Sequence, residues 1–248
     1  MFALIGGSGF DDSLSFTDRR EETVETPYGP CSSPLIFGRL EGAPCVFLYR
    51  HGVRHQFAPH RVPARANLWA LKQAGAEGVF AVATVGGAAP DLTPGRIALP
   101  DQLIDYTWGR EVTYHDDFSE GMMHADMTKP FDEGLRRRLA DAAKALGEDI
   151  RIGGTYACMQ GPRLETAAEV KRCVRDGADM LGMTLYPECA LARELGLPYA
   201  GLCLSVNWAA GLGDSSEGIS LEKMAALQKA GIGRAVRIAA AAMKGMKP

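Results

Sequence analysis

The amino-acid sequence predicts an α/β fold: a single domain with a twisted mixed β-sheet flanked by helices. Three features predict it. Short apolar runs of strand length alternate along the chain with longer segments of helical period, the pattern that builds a layered sheet-and-helix core. Residues 199–206 are almost continuously apolar, as a strand buried on both faces of a parallel sheet must be. Residues 156–188 read YACMQGPRLET, AAEVKRCVRDG and ADMLGMTLYPE, a strand, loop and helix followed by a second strand, loop and helix start. Both loops of such a unit leave the same edge of the sheet, where ligands bind in open α/β proteins.

Composition sets the bounds. The 248 residues are 46% apolar, enough for one large core spanning 1–248. With 27 basic and 30 acidic side chains the net charge is -3, so no positive field exists for nucleic acid or an anionic membrane. None of the six cysteines (Cys31, Cys45, Cys158, Cys173, Cys189, Cys203) forms a C-x-x-C pair. Several lie in strand-like apolar runs, as small hydrophobic thiols of a reducing, cytoplasmic compartment do. The start MFALIGGSGF has no export signal, and no run reaches the roughly 18 apolar residues of a membrane helix.

Taken in order, residues 2–5 form a buried strand running into Gly6-Gly7-Ser8-Gly9, a loop that exposes backbone N–H groups to an anion or makes a tight turn. It is no dinucleotide fingerprint, because Asp12 stands where the last glycine should be. Residues 15–45, broken by Pro27, Gly29, Pro30, Pro34 and Gly42, read as hairpin strands, and 46–49 as a core strand. That strand stops at Arg50-His51-Gly52, a candidate oxyanion clamp because guanidinium offers a fork of donors. His51, His55 and His60 raise a metal site, but Gly52 and Pro59 break the helix that their spacing needs and no carboxylate follows. Residues 62–74 read as a helix ended by Gly75, and 79–83 as a core strand entering a glycine turn at Gly86-Gly87. Residues 97–99 and 103–104 are short strands. The polar and aromatic stretch from Asp105 through His115 and His124 to Pro130 is a lid, a partner surface or a disordered loop. Asp132 caps a helix to Leu146, closed by Gly147. Beyond the central unit, a helix runs from Pro187 to Leu195, a strand ends at Asn207, and Ser220 caps a last helix through Met243.

The segments IGGSGF, TPYG, RHG, RANLWALKQAGAEGV, the Gly86-Gly87 pair, DQLIDYTWGRE, YACMQGPRLET, GADMLGMTLYPE and the strand ending in Asn207 resemble, in one order across almost the whole chain, the purine nucleoside phosphorylase and methylthioadenosine phosphorylase family. The resemblance implies a homotrimer of single α/β domains that needs no metal or organic cofactor. Inorganic phosphate is the co-substrate. It attacks C1′ of a nucleoside and a purine leaves, through a cation-like sugar. Carried over by the matching motifs, Ser8, Arg50 and His51 hold phosphate, with donors added by Ala83, Thr84 and Thr184. Met183 lies against the ribose, Leu164 packs near the base, and Glu165 and Asn207 read the base's polar edge.

Two choices set the substrate. Relatives that cleave adenine nucleosides carry Ser at the Glu165 position and Asp-x-Asp at Asn207-Trp208-Ala209. A carboxylate accepts N1–H of a 6-oxopurine but meets a lone pair on adenine, while an amide accepts from N7–H and donates to O6. Relatives acting on ordinary nucleosides place a histidine where Leu221 stands here, with Met224 one turn on; an apolar pocket favours a 5′-methylthio group. The resemblance implies that His124 approaches that pocket from a neighbouring subunit. The expected substrate is therefore a 5′-methylthio nucleoside of hypoxanthine, with methylthioadenosine, inosine or guanosine as alternatives and a non-catalytic nucleoside binder as the reading of another class. Three departures bear on this: Pro63-Ala64 replaces Asn-Tyr, Ala83-Thr84 replaces Asn-Ala or Thr-Ala, and Trp208 brings bulk beside the base.

Overall fold

The computed structural model describes residues 1–10, 16–119 and 121–244; Asp12, where the glycine fingerprint fails, lies outside them. Eleven strands form one mixed sheet. They are β1 (Phe2–Gly6), β2 (Phe16–Glu22), β3 (Leu35–Leu40), β4 (Ala43–Tyr49), β5 (Val79–Gly87), β6 (Ile97–Leu99), β7 (Gln102–Asp105), β8 (Ile150–Ile152), β9 (Thr155–Cys158), β10 (Met180–Gly182) and β11 (Tyr199–Trp208). The helices are α1 (Ala64–Gln73), α2 (Glu133–Ala145), α3 (Ala167–Arg175), α4 (Leu185–Glu194) and α5 (Leu221–Lys244).

The period of two along the central strands sorts side chains to two faces. Ala3, Ile5, Val46, Leu48, Val79 and Ala81 pack with Leu68 and Leu71 of α1 and Cys189 of α4. Leu4, Phe47, Phe80, Leu202 and Leu204 pack with Leu139 of α2 and Ile232 and Val236 of α5. Helices therefore cover both faces, which is why β1, β5 and β11 are apolar except where Thr84, Ser205 and Asn207 stand near the C-terminal ends of β5 and β11. Asp132 caps α2 as read, accepting from Leu135 N at 2.8 Å, and the structure adds a reciprocal box of Thr166 and Glu169 that starts α3.

Three features differ from expectation. Strand β5 does not turn at Gly86-Gly87 but continues through them, paired with β11 and β10. Leu92 O and Ser205 Oγ press on Gly87, so glycine serves there for close approach rather than for a turn. The helix expected over 62–74 is α1, which starts at Ala64 with Pro63 at the N-cap, and a separate 3₁₀ turn, Pro59–Arg61, precedes it. Helix α4 is interrupted at the non-helical Tyr186, so its continuous part begins at Pro187, as expected. Strand β8, pairing with β6, went unseen because three residues carry no periodicity.

The topology opens one gap. Along one edge of β5, β1 pairs only with Val79–Ala81 and β10 only with Gly86 and Gly87. Residues 82–85 between them have no strand on that side. Because β10 runs antiparallel to β5, its C-terminal end, Gly182, and the following Met183 and Thr184 point into the gap. The β1 loop at Gly7 and Ser8 enters it from the other side.

Candidate active site

A cavity of about 400 Å³ fills that gap, within the range of small-molecule sites. Ser8, Arg50, His51, Ala83, Thr84, Leu164, Glu165, Met183, Thr184, Asn207 and Met224 all line it. Eleven residues expected from seven separate segments are thus brought together.

At its floor, Arg50 is 1% exposed. Its Nε and Nη2 donate to the two oxygens of Glu188 at 2.6 and 3.0 Å, and Nη1 donates to Val82 O at 2.7 Å. Glu188 also accepts from Tyr199 Oη at 2.7 Å. Three of the five guanidinium N–H bonds are used, which leaves one on each terminal nitrogen, the fork an oxyanion takes. Burial opposes the arginine's charge, but the Glu188 carboxylate more than offsets it and the group stays protonated. A Cβ on Gly7 would stand 2.8 Å from Nη1, so only glycine lets the loop approach this fork.

His51 is pinned by a 2.8 Å bond between Nδ1 and Phe57 O. Burial, and then the Arg50 charge, push its pKa down to about 4. The ring is neutral at pH 7, Nδ1–H donates to the carbonyl, and Nε2 is left as an acceptor. His55 stacks on it at 4.5 Å between centroids and its Nε2 lies 3.4 Å from Ser8 Oγ. The Thr184 N–H donates to the buried Tyr156 hydroxyl at 3.0 Å. Thr184 lines the cavity, and its hydroxyl has no protein partner among the described residues.

At the opposite end stand Glu165 and Asn207. Burial, with Glu169 nearby, raises the Glu165 pKa above its ordinary value. Asn207 Nδ2 donates to Trp208 O at 2.6 Å, leaving Oδ1 and the second amide hydrogen for a ligand. A β-bulge between Ser205 and Asn207 shifts the register of β11, so that Val206 and Asn207 both face the cavity, as bulges beside sites do.

The same bulge sends Trp208 away. Its ring lies against Gly213 rather than beside the base end, and it does not line the cavity. Ala209 is buried, with its N–H bonded to Gly87 O at 2.9 Å. Leu221, at the first turn of α5, is 71% exposed, and only Met224, one turn later, reaches the wall. His124 is exposed on the loop, edge-on to Phe118 at 5.6 Å. A single chain therefore does not bring Trp208, Ala209, Leu221 or His124 into the cavity.

The model of the phosphorylase superfamily matches residues 2–243. The chain belongs to that superfamily. A Xanthomonas campestris relative named "Probable S-methyl-5'-thioinosine phosphorylase" is 46% identical over 215 residues, covering 87% of this chain and 86% of the relative. A Mycolicibacterium smegmatis protein named S-methyl-5'-thioadenosine phosphorylase is 45% identical, covering 86% and 78%. Among solved structures, methylthioadenosine phosphorylase from Schistosoma mansoni with adenine superposes with a TM-score of 0.90 at 31% identity, covering 98% of this chain and 90% of that one.

In this phosphorylase three supporting residues escaped the sequence reading. Glu188 was visible as a lone carboxylate in the apolar run Pro187–Ala192, where it needs a buried cation; nothing in the sequence named Arg50, 138 positions away. Arg110 spends all its donors on Met159 O, Gln160 O, Met183 O, Tyr186 O and Gln160 Oε1. It thereby clamps both loops of the central unit, and with Thr113 and Tyr114 bonded to Glu194 it holds down the start of the 106–130 stretch. Tyr156 read only as a strand aromatic. Among the described residues no group of three or more metal-ligating side chains is gathered, and no helix is long and apolar enough to cross a membrane.

Proposed function

We propose that this phosphorylase cleaves S-methyl-5′-thioinosine with inorganic phosphate, giving hypoxanthine and 5-methylthioribose 1-phosphate. One observation carries the reading: Glu165 and Asn207 line the same cavity as Arg50 and His51. Phosphate sits on the Arg50 fork, with Ser8 and Thr184 hydroxyls as further donors and its own P–OH directed to bare His51 Nε2. Its oxygen attacks C1′ as the C1′–N9 bond breaks, and the bond's electrons pass into the purine. The proton that phosphate loses ends on the base. Asn207 Oδ1 accepts from N7–H and its amide donates to O6, while Glu165 accepts from N1–H. These contacts strengthen as charge builds on the leaving base, so they act on the transition state. Leaving one buried polar pair unmatched, as adenine does at Glu165, costs about 1–3 kcal/mol, roughly 5- to 150-fold in rate.

Met224, the 5′-pocket residue that lines the cavity, favours a methylthio group over a hydroxyl at the sugar's 5′ end. Methylthioadenosine is the second reading, favoured by the Mycolicibacterium relative and by the adenine-bound neighbour. A trimer accounts for the 106–130 stretch, where Trp108, Phe118, Met122 and Met123 are 51–75% exposed, more apolar surface than a free loop carries; His124 beside them would then complete a neighbour's 5′ pocket. The cysteines among the described residues are all free thiols, which supports a cytoplasmic setting. The test is purine release with and without phosphate. Strict dependence on phosphate is expected. Equal release without it would make the protein a hydrolase, and no release would make it a nucleoside binder.

A further inference from the structure

A second cavity, of about 220 Å³, shares Arg50, Pro59 and Thr184 with the first as a common wall. Its remaining lining holds His60, Arg61, Ala64, Arg110 and Glu111, with Glu188 behind Arg50. Three arginines thus face two carboxylates, and the carboxylates are occupied: Glu188 by Arg50 and Glu111 by Arg65. Arg110 has carbonyl and amide partners but no carboxylate among the described residues. Arg61 is exposed and has neither an ion pair nor a side-chain hydrogen bond among the described residues. His60 Nδ1 is buried with no hydrogen-bond partner. A cavity with one sign of excess charge, low-dielectric walls and unsatisfied nitrogen concentrates small anions, and an oxyanion would satisfy both Arg61 and His60.

We propose that this cavity is an antechamber for inorganic phosphate, by which the co-substrate reaches the Arg50 fork separately from the nucleoside. The proposal rests on the phosphorolytic reading above. In that reading the ribose lies over the phosphate and closes the nucleoside's side of the site. Thr184 lines both cavities, and its hydroxyl, without a protein partner among the described residues, can pass an oxyanion from Arg61 and His60 to Arg50. With this route open, phosphate adds whether or not nucleoside is already bound. With it closed, phosphate must bind first and excess nucleoside traps an unproductive complex.

Two variants test the route by initial-rate kinetics on the full chain. Arg61→Glu changes an exposed side chain. It should lower kcat/KM for phosphate at saturating nucleoside by about fivefold or more at low salt, a gap that shrinks as salt screens it. Its kcat/KM for nucleoside at saturating phosphate should stay within about twofold of the original. Ala64→Phe fills the cavity and should introduce inhibition by excess nucleoside at low phosphate. If Ala64→Phe does not fold, Arg61→Glu decides alone. Phosphorolysis with phosphate kinetics unchanged in Arg61→Glu at low salt overturns the antechamber and leaves the phosphorolytic reading intact. Purine release that ignores phosphate overturns that reading and the antechamber with it.

Discussion

Replacing Glu188 by Gln tests how the anion site is held. Arg50 and Glu188 are 1% and 2% exposed at their side chains, joined by contacts of 2.6 and 3.0 Å. The amide keeps the shape but removes the charge and turns one acceptor into a donor facing Arg50. Removing one partner of a buried pair leaves the other charge uncompensated, at a cost of about 3–5 kcal/mol. For a chain of this size that is a Tm lower by roughly 6–20 °C, a large part of the about 5–15 kcal/mol that holds a domain together. Phosphate changes the sign of the problem. In the variant the dianion is the nearest countercharge for Arg50, and the fork has an additional free donor, so phosphate binds more tightly relative to the original protein. At one fixed phosphate concentration, the Tm rise on adding phosphate should therefore be larger in Glu188→Gln. Calorimetry of both proteins with and without phosphate reads both effects. A Tm within about 2 °C of the original, or an equal phosphate increment in both, would refute the placement of Arg50 as a guanidinium held for phosphate by Glu188. Tyr199→Phe, which removes only the 2.7 Å bond to the same carboxylate, should fall between the two.

Further outcomes follow from the base end and from His51. Asn207→Asp replaces the donor to O6 by an acceptor suited to an amino group, and should move the kcat/KM ratio toward methylthioadenosine by roughly tenfold, about 1.4 kcal/mol; unchanged preference contradicts the role of Asn207. Glu165 must be ionised to accept N1–H, and its pKa is raised, so as pH falls activity on the oxopurine declines before an ordinary carboxylate would protonate. The protonated acid can donate to adenine N1, so the preference for oxopurine should narrow in the same range, read as the ratio of kcat/KM values against pH. His51 is held near 4 against an ordinary 6.5. Below 6.5 the unfolded chain takes up a proton that the folded ring refuses. Stability is present above 6.5 and is lost as pH falls through that window to 4, by about 3 kcal/mol. His51→Asn should flatten the fall of Tm with pH between 6.5 and 4; an equally steep fall contradicts the buried neutral ring.

The fold was legible where periodicity was strong. The apolar runs at 2–5 and 46–49 and the cap Asp132 each point one way, and the structure agrees. Gly86-Gly87 misled because glycine serves both for turns and for close packing, and only the folded positions of Leu92, in the loop after β5, and Ser205, on the neighbouring β11, decide between them. At the site, Arg50, His51, Glu165 and Asn207 were readable as polar groups ending apolar strands or starting helices. Trp208 was not, since a one-residue bulge reverses the face of everything after it. Glu188, Arg110 and Tyr156 support the site through partners dozens of residues away, and no local pattern encodes such pairings.

The most direct measurement compares S-methyl-5′-thioinosine, S-methyl-5′-thioadenosine and inosine as substrates at one concentration with saturating phosphate. Glu165 and Asn207 facing the Arg50 cavity predict that methylthioinosine is cleaved fastest, ahead of methylthioadenosine by about 5- to 150-fold and ahead of inosine through Met224. Methylthioadenosine cleaved as well as or better than methylthioinosine would contradict the account.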